Sequence, residues 1–202
     1  MKPDSTQPPV ARAVHQLGTE IIGLAARSWQ RLHACTAVAQ ELAKDPFTQE
    51  LKSQAATAEF LIILLHACDR IAAAAFQAAL PAHAAPVVRN SLMAALVGAT
   101  IPAFVRAACA EEDAEELADM QADLLHLYNT RATQYGFFPL GAAGGHEPLL
   151  TLAGIRLAEA LECAENPEVI THGVETVVDS LTALRQELPL KDTLGQLIAG
   201  GQ

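Results

Sequence analysis

EFLIILLHACDRIAAAAFQAAL, residues 59–80, is the stretch that decides how this chain folds. Nearly every position is Phe, Leu, Ile, Ala or Cys, with no alternation of polar and apolar residues that would suit a strand. Ala and Leu carry the lowest cost of entering a helix and gain little on a pleated surface. The polar exceptions share a side. Glu59, His66, Arg70 and Gln77 are spaced by seven, four and seven, and Asp69 lies just off that line. Ionisable groups set in so much hydrocarbon must reach water, find partners or line a site. The stripe therefore has three readings. It is the wet side of an otherwise buried helix, a buried network that fixes helix register or a dimer interface, or a binding or catalytic site. In the last case His66 acts as base or ligand, and Asp69 orients it or binds a cation.

A second stripe answers the first. Leu117, Leu124, Tyr128, Arg131 and Tyr135 follow one another by seven, four, three and four, so Arg131 falls on the apolar side of its helix. An unpaired guanidinium is strongly unfavourable there. Arg131 is expected to pair with Asp69 or Glu59, with a tyrosine hydroxyl completing the network; otherwise its stem packs and its head snorkels to water. The candidate polar site or buried network is thus Glu59, His66, Asp69, Arg70, Tyr128, Arg131 and Tyr135.

Outward from these stripes the chain reads as helix throughout. Residues 1–9 hold three prolines and form a disordered tail. Val10, Val14, Leu17, Ile21, Leu24, Ser28, Leu32, Cys35, Ala39 and Leu42 step by three and four, predicting one long first helix that ends at Asp45-Pro46. The second helix covers about 48–80. Pro86 opens a third that runs to about Cys109 and holds Gly98 and Pro102; the fourth reaches Tyr135. GFFPLGAAGGHE, within 136–147, is a glycine-rich loop that separates this four-helix part, 10–135, from a helical C-terminal part, 148–199. There Leu150, Gly154, Leu157 and Leu161 mark a fifth helix, and Ile170, Val174, Val177, Leu181, Leu184 and Leu188 a sixth; a short helix over 191–199 follows. The expected architecture is an all-α antiparallel bundle of six or seven helices in a single domain, with the second helix central.

Composition excludes several functions. The 202 residues carry 23 acids against 13 Lys and Arg, a net charge of −10, with no basic cluster. Neither nucleic acid nor an anionic membrane surface suits such a chain. The apolar run at 91–105 is shorter than the ~20 residues a bilayer requires, and the run at 60–80 carries charges at its middle. Cys35, Cys68, Cys109 and Cys163 lie far apart with no C-x-x-C pair, so no thiolate metal site or disulfide framework is expected. The N-terminus lacks the apolar core of a secretory signal, which leaves the cytoplasm as the expected compartment. No Glu-x-x-His pairs, nucleophile elbow or P-loop occur, and no cofactor or metal is implied.

Two functional classes remain. The first is a non-enzymatic protein that self-associates as a homodimer, or binds another protein, through the seams of its first and sixth helices. The second is a small-molecule binding protein or enzyme with a polar pocket between the second and fourth helices. What separates them is whether the candidate side chains converge on a cavity or saturate one another's hydrogen bonds.

Overall fold

The computed structural model describes residues 9–109, 113–136 and 147–200. The 59–80 stretch lies in helix α3, Gln49–Ala79, and within it residues 59–66 are all buried without a break. More than two consecutive turns with every side chain inside leave no wet face, so the solvent-side reading of the stripe fails here. Around α3 stand α1 (Pro9–His33), α2 (Thr36–Ala43), α4 (Ala85–Ala108), α5 (Ala114–Gly136), α6 (Glu147–Ala160), α7 (Pro167–Gln186) and α8 (Leu190–Gly200), and there is no strand among the described residues. α3 packs against each of the other seven, which makes it the centre of the bundle. The N-terminal segment expected to be a tail and the glycine-rich loop lie mostly outside the described residues.

Among the described residues eight helices replace the six or seven expected, because the long first helix divides. At Cys35 the backbone turns extended, with φ −72° and ψ 134°, before α2 begins. The break changes which side chains face inward. Leu32 and Val38 are fully buried, whereas Cys35 is only partly covered and Ala39 is exposed. An unbroken helix would have put Ala39 on the seam. Burying Val38 in its place removes two more carbons from water, each worth about 0.8 kcal/mol, and offsets an interrupted hydrogen-bond ladder. The described residues of the part 10–135 accordingly contain five helices.

The other boundaries follow local chemistry. Asp113 Oδ1 accepts from the Glu115 and Glu116 amides at 2.9 and 3.0 Å and starts α5. Asn166 Oδ1 accepts from the Glu168 and Val169 amides at 3.0 and 3.3 Å, ahead of Pro167 in the first turn of α7. α6 and α7 approach closely at Gly154, where an added Cβ would lie 2.7 Å from the Ile170 carbonyl oxygen. α4 is the one helix among the described residues long and apolar enough to cross a membrane, with a mean hydropathy of 1.6 in its most apolar window. It packs Leu92, Leu96, Ile101 and Val105 into the core beside α1 and α3.

The seams on which self-association was expected face inward as well. α1 packs on α7, where the Ser28 and Ser180 hydroxyls meet at 2.6 Å and Arg31 pairs with Asp179 at 2.8 Å. Leu17, Ile21 and Leu32 of one seam and Leu184 of the other are fully buried within the chain.

Candidate functional site

The polar stripe of α3 meets α5 inside the bundle. Glu59, 2% exposed, receives Arg131: Nε lies 3.0 Å from Oε1 and Nη2 lies 3.2 Å from Oε2. Tyr135 donates its hydroxyl to the same Oε1 at 3.0 Å, and Arg131 Nη1 donates to Gln134 Oε1 at 3.1 Å. Of the two carboxylates expected for Arg131, the structure selects Glu59. Asp69 instead holds Arg89 of α4 with both carboxylate oxygens on one guanidinium edge, Nε 2.7 Å from Oδ1 and Nη2 on Oδ2. Glu59 and Asp69 thus each have an opposite charge and directed hydrogen bonds, the condition under which burial of ions is tolerable.

His66 sits between two tyrosines. Its ring stacks on Tyr128, with centroids 4.5 Å apart and planes 3° from parallel, and takes the Tyr135 ring edge-on at 5.4 Å. Its Nε2 donates to the Tyr128 carbonyl oxygen at 3.2 Å. That bond fixes the tautomer and leaves Nδ1 as a lone-pair acceptor. Burial pushes the imidazole down to about 4, so it is neutral near pH 7. Arg70 Nη2 donates to the Tyr135 carbonyl oxygen, satisfying an acceptor at the C-terminal end of α5.

Burial governs the remaining titratable groups. The Tyr128 phenol is pushed up to about 12 and the Tyr135 phenol further, by burial first and then by the Glu59 charge beside it. The Cys68 thiol is pushed up to about 12 by burial, which removes it as a nucleophile. No group of three or more His, Cys, Asp or Glu among the described residues is placed to hold a metal ion.

Three members of the network, His66, Arg70 and Tyr135, also line a cavity of about 50 Å³. Its other walls are Ile63, Ala67 and Ile71 of α3, Leu149, Leu150 and Ala153 of α6, and Val177, Leu181 and Arg185 of α7. The pocket expected between the second and fourth helices therefore lies elsewhere, between α3, α6 and α7, with Tyr135 the one contribution of α5. Where α3 meets α5, Glu59, Arg131 and the Tyr135 hydroxyl bond to one another.

Arg89, Arg156 and Arg185 were missed in the sequence. Arg156 lies near Tyr135, and its Nε is buried with no hydrogen-bond partner among the described residues. All three carry the signal that marked Arg131, a cation continuing an apolar stripe. Arg89 precedes Leu92 and Leu96, Arg156 follows Leu149 and Ala153, and Arg185 follows Val177 and Leu181, each by steps of three or four. Comparison with protein-family models, with curated proteins and with solved structures finds no match to this chain.

Proposed function

We propose that this protein binds a small, largely apolar molecule in the cavity between α3, α6 and α7, and that it does so without catalysing a reaction. The observation that carries this reading is the cavity wall, which is hydrocarbon on three helices and interrupted by His66, Arg70 and Arg185. A few placed polar groups in an apolar hollow are what orient a small ligand. The remaining ionisable groups are committed elsewhere. Glu59, Arg131 and the Tyr135 hydroxyl satisfy one another, Asp69 holds Arg89, and the Cys68 thiol stays protonated. In this reading the Glu59 network is a strut that fixes α5 against α3 and holds Tyr135 at the wall.

Size limits the ligand. A water needs roughly 10–15 Å³ of such space, so the cavity of about 50 Å³ takes about three to five atoms of that size. Titration with isobutanol, followed by amide shifts in two-dimensional NMR, tests the reading. Saturable shifts at Ala67, Ala153 and Val177 are expected, and Ala67→Leu, which fills the hollow, should abolish them. Unsaturable shifts scattered over the surface would overturn it.

A further inference from the structure

His66 brings to the cavity wall a hydrogen-bonding atom that no described residue uses. Its Nε2 faces the Tyr128 carbonyl oxygen, which can only accept, so the ring proton sits on Nε2 and Nδ1 carries a lone pair. Tyr128 and Tyr135 meet the imidazole through their rings, one stacked and one edge-on, and no described residue donates to Nδ1. Among the described residues, Arg156 Nε is the one side-chain nitrogen or oxygen that is both sealed off and without a partner. Nδ1 also lacks a partner, so it is not sealed off and must border open space. His66 is otherwise buried and forms part of the cavity wall, which makes the cavity that space.

The rest of the wall narrows what can meet this lone pair. Ile63, Ala67, Leu150, Ala153 and Val177 offer it nothing polar in their side chains. Arg70 is engaged with the Tyr135 carbonyl oxygen, and the wall carries Arg70 and Arg185 without any Asp or Glu, which disfavours an ammonium. A carboxylate would set its own lone pairs against that of Nδ1. A ketone or an ether cannot donate either, and by filling the hollow it would leave the acceptor stripped of solvent and unpaired. A neutral hydroxyl meets every condition.

Resting on the binding function proposed above, we infer that the ligand is a small aliphatic alcohol of about three or four carbons, its hydroxyl donating to His66 Nδ1 and its carbons lying against the hydrocarbon of α3, α6 and α7. The acceptor is in place before the ligand arrives. The bond to Tyr128 fixes which nitrogen carries the proton, and burial keeps the ring neutral near pH 7, so Nδ1 does not become a second N–H.

The test uses sec-butanol and butanone, which share a carbon skeleton and carry oxygen on the same carbon; the alcohol donates and the ketone only accepts. Both are titrated into the full chain near neutral pH, alongside sec-butylamine, and followed by affinity and by the ring-nitrogen resonances of His66. The alcohol should bind about tenfold more tightly than the ketone. Saturation with the alcohol should move the Nδ1 resonance upfield, and saturation with the ketone should leave it in place. His66→Phe, which keeps a ring against Tyr128 and has no Nδ1, should bind the two alike. Equal affinities in the wild type, an Nδ1 resonance that the alcohol does not move, or a preference for the amine overturns the hydroxyl assignment and leaves the apolar pocket standing. A preference for the alcohol that survives in His66→Phe overturns the role of Nδ1. Saturable binding of none of the three removes the pocket itself.

Discussion

Arg131 of α5 and Glu59 of α3 are 72 residues apart in the chain, and the guanidinium Nε lies 3.0 Å from the carboxylate Oε1. The two side chains are 13% and 3% exposed, so the pair sits out of reach of bulk water on both sides. Otherwise α5 buries little: Leu124 and Tyr135 are its two buried residues. A helix with so small an apolar footprint depends on its polar anchors, and the position of Tyr135 at the cavity wall depends on them too.

Removing one partner of this pair should therefore be costly. Arg131→Ala leaves the buried Glu59 carboxyl group with the Tyr135 hydroxyl alone, and should lower unfolding stability by roughly 3–5 kcal/mol in a urea titration. A loss below roughly 1 kcal/mol would mean that water reaches the carboxylate and that the pair behaves as an exposed one.

Tyr135→Phe removes one hydrogen bond to the same carboxylate and keeps the ring against His66. A hydrogen bond to a charged group is worth about 1.5–3 kcal/mol, and that is the expected loss. Because Tyr135 and Arg131 serve one acceptor, the double variant should depart from the sum of the singles by at least about 0.5 kcal/mol. Strict additivity would show that the two bonds act independently.

Much of this network was legible in the sequence, because burial of a charge leaves a mark in the pattern of steps. The stripe on α3 and the stripe ending in Tyr135 both interrupt hydrocarbon at helical spacing, and the need to neutralise Arg131 narrowed its partner to Glu59 or Asp69. What the sequence could not resolve is which acid takes which arginine. That choice depends on crossing angles and on Arg89, delivered by α4 from the other side. The break at Cys35 was hidden for a different reason. No Pro or Gly marks it, and the periodic spacing holds equally well for a register that the packing of Val38 overrides.

The pH dependence of stability should carry the signature of His66. Burial holds its folded pKa at about 4, below the ordinary 6.5, so between these values the unfolded chain binds a proton that the fold refuses. Its contribution is complete above pH 6.5 and is lost as the pH falls toward 4, amounting in full to about 3 kcal/mol. His66→Gln keeps a donor for the Tyr128 carbonyl and cannot titrate. Wild type should lose about 3 kcal/mol more than this variant between pH 7 and pH 4. Parallel curves would place the imidazole in water.

Two glycines should respond to the same substitution with opposite signs. At Gly154 a new methyl group meets the Ile170 carbonyl oxygen and Val174 Cγ2, both at 2.7 Å, and the α6–α7 contact must open to admit it. Gly154→Ala should destabilise by about 1–3 kcal/mol, in the range of overpacked cores. At Gly98, exposed within α4, nothing lies within 4 Å of the added carbon, so only the intrinsic helix preference changes. Gly98→Ala should stabilise by about 0.8–1 kcal/mol, measured by the same urea titration. The second value also reports on the homodimer expected from the sequence. A loss at Gly98, deepening as protein concentration rises, would mean that another copy packs against this face of α4, whereas a gain independent of concentration leaves the face to solvent.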